Sequence, residues 1–216
     1  MEYKMTPEEY FKKIIELYHQ SRDPKYYNPN IKRGRSASIS SALEDLTALF
    51  IALNNPNQCL YFTDQPIKFN ESTVKYPDIV IQNKNGTIQN LIDVKTDIGW
   101  NRSGLYSFCD DWEKRIESIK NTKTTFRLGK EKKIVQGKFS NDIKYHILII
   151  SKINSGNQII KDYAEVKNKL KNVCLYVLSE EIHPNNYEYE INETLEKIKI
   201  IKEDFCRLFE YINKTE

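Results

Sequence analysis

No apolar run in the 216 residues approaches the ~20 that a membrane-spanning helix needs, so the sequence offers no spanning segment. Its four cysteines, Cys59, Cys109, Cys174 and Cys206, lie far apart, with no Cys-x-x-Cys pair and no histidine at zinc-ligand spacing. That excludes a zinc site of the common kind and leaves four thiols expected to be buried. Three histidines, His19, His146 and His183, are scattered over a predicted helix, strand and loop. They argue against a His-Asn-His nuclease and a Ser-His-Asp hydrolase, and structural roles are expected for all three. The opening residues MEYKMTPEEY carry neither a secretory nor a transit signal, and the expected location is the cytoplasm. Internal repeats and low-complexity tracts are also lacking.

With 39% hydrophobic and 29% charged residues, the chain is expected to fold as one soluble domain with a substantial core. A net charge of +3 is too mild to name a partner, but its distribution is uneven. Residues 120–144 hold eight Lys or Arg against two acids, and Arg22, Lys25, Lys32, Arg33 and Arg35 face only Asp23 between Arg22 and Ser38. Residues 180–216 reverse the sign, with ten acids against five bases. Two basic surfaces suited to a polyanion and an acidic, solvated C-terminal helix follow.

The stretch Lys75 to Asp97, KYPDIVIQNKNGTIQNLIDVKTD, organises the rest. Apolar runs at Ile79 to Ile81 and Leu91 to Val94 flank Asn83-Lys84-Asn85-Gly86, and Asn-Gly predicts a two-residue hairpin turn. That turn pairs Lys84 with Thr87, Gln82 with Gln89, Val80 with Leu91 and Asp78 with Asp93. Alternation then puts Lys95 on the face of both aspartates, while Ile79, Ile81, Ile92 and Val94 point into a core. Carboxylates ~5 Å apart at an effective dielectric of ~20 repel by about 3 kcal/mol. Lys95 can offset part of this. A divalent ion between the carboxylates can offset the rest, and Mg²⁺, which takes one or two carboxylates plus waters and phosphates, fits best.

Pro77-Asp78, followed on the next strand by Asp93-Val94-Lys95, resembles the signature of the PD-(D/E)XK nuclease superfamily, which includes most type II restriction endonucleases. The resemblance implies that Asp78 and Asp93 hold one or two Mg²⁺ ions and that Lys95 orients or activates the attacking water. In that family a helix before the sheet often supplies another acid. Glu44 is the candidate here rather than Asp45, because Ser40, Ser41, Thr47 and Ala48 around it allow close backbone approach. A solvated helix acid is the alternative for Glu44.

Taken in order, Thr6-Pro7-Glu8-Glu9 starts a helix over about 6–20 with a capping box. Its wide apolar face is expected to dock on the core or on a partner subunit. A second helix is expected from Ser38 to Leu53, a strand from Cys59 to Thr63, a turn and edge from Pro66 to Asn70, and then the hairpin. A loop with Trp100, Asn101 and Arg102 follows, and a helix from Ser107 to Lys120. Residues 121–144 read as an irregular basic loop beside the site. Strands at Tyr145 to Ser151 and Val173 to Ser179, joined by a helix from Gln158 to Leu170, imply a parallel crossover. A single helix from 193 to 212 closes the chain and offers a dimer surface.

The expected fold is thus α/β, a mixed sheet flanked by helices, in one domain over residues 1–216 with a core at about 38–179. From about Ser38 to Ser151 the order is similar to the αβββαβ core of the same nucleases. The resemblance does not account for the first 35 or last 60 residues. The expected activity is Mg²⁺-dependent, sequence-specific cleavage of double-stranded DNA by a homodimer, with a cognate methyltransferase as companion. Arg33, Arg35, Trp100, Asn101, Arg102, Arg127, Lys130, Lys132, Lys133 and Lys138 are the expected DNA contacts. A repair or recombination nuclease of the same fold, or a non-catalytic DNA-binding protein in which the triad is a structural ion-pair cluster, are the alternatives.

Overall fold

The structure, a computed structural model, describes residues 3–26, 28–99, 101 and 103–214. It opens with α1 (Pro7–Ser21), whose Thr6 hydroxyl accepts from the Glu9 N–H at 3.1 Å while Glu9 Oε2 accepts from the Thr6 N–H at 2.7 Å. This is the expected capping box. The next helix, α2 (Ser40–Asn54), begins two residues later than expected, because Ser38 folds back to bond Ser40 instead of entering the helix. There follow β1 (Cys59–Thr63), the short β2 (Ile67–Lys68) and β3 (Val74–Lys75), then β4 (Ile79–Asn83) and β5 (Thr87–Lys95). The second half adds α3 (Leu105–Ile119), β6 (Lys123–Arg127), β7 (Ile134–Ile149), α4 (Gln158–Lys169), β8 (Val173–Val177) and β9 (Ser179–Glu180). The chain ends with α5 (Ile191–Lys197), β10 (Lys199–Ile200) and α6 (Lys202–Ile212).

Six strands form one mixed sheet in the order β1-β4-β5-β7-β6, with β8 also on β7. β1, β4 and β5 run antiparallel in turn, whereas β5, β7 and β8 are parallel. The expected parallel connection through α4 is present. Both sheet faces are buried. Ile79, Ile81, Ile92 and Val94 pack with α1, α2 and α6, and Val80, Leu91, Tyr145 and Ile147 pack with α3 and α4.

The β4–β5 hairpin differs from expectation in one instructive way. Its turn bond runs from the Gly86 N–H to the Asn83 carbonyl at 3.0 Å, so Lys84 and Asn85 are the central pair and Gly86, at φ +83°, forms a glycine bulge. Asn83 Oδ1 stabilises this longer turn by accepting from the N–H groups of Asn85 and Thr87. Gln82 therefore pairs with Ile88, not Gln89, and a second bulge at Gln89 restores Val80 opposite Leu91. The two irregularities cancel before the carboxylates are reached.

Three further expectations are corrected. Residues 121–144 are no loop but the β6–β7 hairpin, and β7 is 16 residues long, more than twice the expected strand. β7 slips against β5 between Phe139 and Lys144, and a slip of this kind bends a strand. The sheet curls there until β6 meets β1 and β2: the rings of Phe62 and Phe126 lie 4.9 Å apart, and Thr124 Oγ1 donates to the Lys68 carbonyl at 2.7 Å. The C-terminal helix is divided in two by β10, which pairs with β9. The apolar face of α1 docks on the core through Phe11 and Ile14, one of the two places expected for it, while that of α6, expected at a dimer surface, lies in the same core through Phe205 and Phe209. Cys109 and Cys174 are buried as expected, but Cys59 is half-buried and Cys206 exposed on the outer side of α6. Among the described residues no helix is long and apolar enough to cross a membrane.

Candidate active site

Asp78 precedes β4, and Asp93 and Lys95 sit near the end of β5, brought together by the antiparallel register Ile79 with Ile92. Lys95 Nζ donates to Asp93 Oδ1 at 2.6 Å and lies 3.8 Å from Asp78 Oδ2. Asp78 Oδ2 also accepts from the Val94 N–H at 2.6 Å. Asp93 is buried, and the other two side chains are only partly exposed. The expected convergence of these three residues is found.

The cluster is short of positive charge. Burial, and then the neighbouring Asp93 carboxylate, push the Asp78 carboxyl up to about 8, against the weaker pull of Lys95 and the Val94 N–H. Glu44, half-buried on α2, belongs to the same field. Burial and then Asp64 raise its carboxyl, with Asp45 and Asp93 adding to the rise and Lys95 opposing it. Asp45 itself is exposed, which favours the choice of Glu44.

Asp64 was not anticipated. β1 pairs Thr63 with Ile79, so the next residue falls beside Asp78, and the Asp64 N–H donates to the Asp78 carbonyl at 2.9 Å. Extending the register outward from β1 is the signal that could have found it. A second overlooked pair follows Lys95. His183 Nε2 lies 3.6 Å from Asp97 Oδ2, and His183 first, with the Gly99 N–H and Asn154 helping against burial, holds Asp97 down at about 2. His19 and His146 take no part in the site, and His146 is fully buried.

Among the described residues no three His, Cys, Asp or Glu side chains are arranged as a ready metal cage. The donor set nevertheless fits a hard cation that keeps part of its water shell. The Asp78 and Asp93 side chains also meet each other, and Asp93 meets the Tyr145 hydroxyl, yet the pairing of the two carboxylates leaves an excess of negative charge that a cation would relieve.

Of the expected DNA contacts, Arg33 and Arg35 are exposed on the α1–α2 loop. That loop is tied at Ser36 to Asn185 and Tyr187, close in sequence to His183 and hence to the Asp97 end of β5. Arg127, Lys130, Lys132 and Lys133 are exposed around the β6–β7 turn. The curl brings this turn toward the site, since Gln65 Nε2 donates to the Arg127 carbonyl at 3.4 Å and Gln65 adjoins Asp64. Lys138 is exposed but pairs with Thr87, six residues from Asp93 along β5, or roughly 20 Å at ~3.3 Å per residue. It lies at the far end of the strand and does not join the site. Asn101 is half-buried in the loop before α3, and Trp100 and Arg102 lie outside the described residues.

No family model, curated protein or solved structure matches the chain. The site must be read from its own geometry.

Proposed function

We propose that the chain is a Mg²⁺-dependent DNA endonuclease of the PD-(D/E)XK type, with Asp78, Asp93 and Lys95 as its catalytic centre. The observation that carries this reading is the facing pair of carboxylates with a single ammonium between them, at the end of the central strand. The element order supports it. α2, the antiparallel β1-β4-β5, α3, and β7 parallel to β5 follow the αβββαβ order of such nucleases, with β2, β3 and β6 as additions.

Asp78 and Asp93 would hold the ion, with Glu44 as a further anionic group on its α2 side. When bound, Mg²⁺ supplies Lewis-acid stabilisation of charge on the phosphoryl oxygens. The chain's own part is positional. Lys95 carries three N–H donors, of which one goes to Asp93, leaving two to orient a water or meet a phosphate oxygen. The Val94 N–H fixes the Asp78 carboxylate, and the curled hairpin and the α1–α2 loop present Arg127, Lys130, Lys132, Lys133, Arg33 and Arg35 for the DNA backbone. Cutting of a palindromic site would take two copies, and a cognate methyltransferase would protect the host DNA in the cytoplasm.

One observation favours a second reading, a DNA-binding protein with a purely structural cluster: Lys95 already closes on Asp93. Digestion of a large unmethylated DNA with Mg²⁺, with EDTA and with Lys95→Ala separates the two. Discrete fragments lost in both controls support the endonuclease, and uncut DNA that is still bound supports the second reading.

A further inference from the structure

We propose a second binding site, for a nucleotide, in the cavity where the two central strands part. From Ile88 to Asn90 β5 advances two residues while β7 advances five, from Phe139 to Lys144, so part of β7 leaves the ladder. β4 and β5 lose step at the same level. The resulting cavity of about 380 Å³ is of a size usual for small-ligand sites. It lies on the sheet face opposite Asp93, because Asn90 shares its face with Ile92 and Val94.

Its floor is polar where the strands are otherwise apolar. Asn90 and His146 are 4% and 0% exposed. Asn90 Oδ1 accepts from His146 Nε2 at 2.8 Å, and His146 Nδ1 accepts from the Tyr176 hydroxyl at 3.0 Å. Burial keeps the imidazole neutral, consistent with this pattern. The chain of bonds fixes the Asn90 side chain and leaves its amide nitrogen to offer to a ligand. An apolar pair would pack here at lower cost, so the polar floor calls for a reason beyond packing.

The walls specify the ligand. Gln89 adds a second carboxamide, Tyr211 a ring, and Lys144 and Lys214 two ammonium groups. Lys144 Nζ donates to the Lys171 carbonyl at 2.7 Å, leaving two further N–H groups, and Lys214 Nζ sits 4.8 Å from the Tyr211 ring centroid. Carboxamides suit the edge of a heterocyclic base, a phenol ring suits its face, and ammonium groups suit a phosphate. A nucleoside 5′-monophosphate combines all three, as does the 5′-phosphorylated end of a single strand. Asp142 also lines the rim and would oppose the phosphate.

The test is calorimetric titration of the full chain with AMP, GMP, CMP and UMP, and separately with a 5′-phosphorylated trinucleotide, adenosine and inorganic phosphate. Saturable binding of a mononucleotide or the trinucleotide is expected, with adenosine and phosphate weaker by about tenfold or more. Lys214→Ala and Tyr211→Leu should weaken it and Asp142→Asn should tighten it, with circular dichroism unchanged. The proposal is overturned by the absence of saturable binding at millimolar concentration, by phosphate binding as tightly as nucleotide, or by affinities that Lys214→Ala and Asp142→Asn leave unmoved. Cleavage is not the readout, so the result stands whether or not Asp78 and Asp93 hold a metal.

Discussion

Two buried acid–base clusters flank the parallel strands, and they are built to opposite rules. In the first, Asp204 of α6 accepts from the Val177 N–H at 2.7 Å, the Tyr163 hydroxyl at 2.5 Å and Arg207 at 2.9 Å. Arg207 in turn reaches the Leu175 carbonyl and lies over the Tyr176 ring. One acid meets one base, and both carboxylate oxygens are engaged. In the second, Asp78 and Asp93 share one ammonium, and Glu44 and Asp64 add negative charge nearby. The first cluster is closed, as a structural ion pair must be to survive burial. The second leaves a charge deficit, which would suit a cation from solution.

The largest effect should separate the clusters by activity. Lys95→Ala and Asp93→Asn are expected to lower DNA cleavage by about 10²- to 10³-fold or more, whereas Asp204→Asn should leave the rate per folded molecule intact. Plasmid digestion at matched concentrations of folded protein checks this. Equal losses in all three would erase the distinction. Stability should sort the clusters the other way. Asp204→Ala leaves Arg207 buried without its partner and should cost on the order of 3–5 kcal/mol in urea unfolding.

Asp78→Asn, by contrast, should leave metal-free protein unchanged or more stable. The folded-state carboxyl titrates near 8 against 3.8 unfolded, so the folded state holds an extra proton between those values. Its contribution is fully present below pH 3.8 and is lost as pH rises through about 8. The advantage of Asp78→Asn should therefore grow with pH over that window in metal-free urea melts, and a flat difference would contradict the crowding of the two carboxylates.

The buried His146 supplies a closed reference of another kind. Burial lowers its folded-state value from 6.5 to about 3, so its contribution is present above pH 6.5 and lost as pH falls toward 3. Stability should decline by about 1 kcal/mol per pH unit within that window, less steeply in His146→Gln. Smallest of all, Lys132→Glu with Lys133→Glu should weaken DNA binding and make its salt dependence shallower by about one unit of slope per lysine. Unchanged binding isotherms across salt would remove the curled hairpin from the DNA surface.

The sequence carried the β4–β5 hairpin well, because a period of two gives each residue of Asp78, Asp93 and Lys95 a face once one pair, Val80 with Leu91, is right. The turn itself was misjudged: the Asn83 side chain captures two N–H groups that a two-residue turn would not offer it. The β6–β7 hairpin is hard to see in the sequence because it is largely solvent-facing, with Lys123, Thr125, Arg127 and Ile134 exposed, so its charge masks its alternation. The break before α6 is masked in the sequence because Leu195, Ile198 and Ile201 keep helical spacing. In fact the three isoleucines of Ile198-Lys199-Ile200-Ile201 favour extended backbone, and Lys199 and Ile200 pair with β9. Asp64 depended on a non-local strand pairing that no local pattern announces.

The central claim is that the charge deficit at Asp78 and Asp93 exists to hold a metal ion. Calorimetric titration of Mg²⁺ into the full chain, beside the Asp78→Asn and Asp93→Asn variants, tests it most directly. Saturable binding in the native protein, lost or strongly weakened in both variants while their folds persist, is the predicted result. No binding, or binding that survives both substitutions, would contradict it and leave the cluster a structural one.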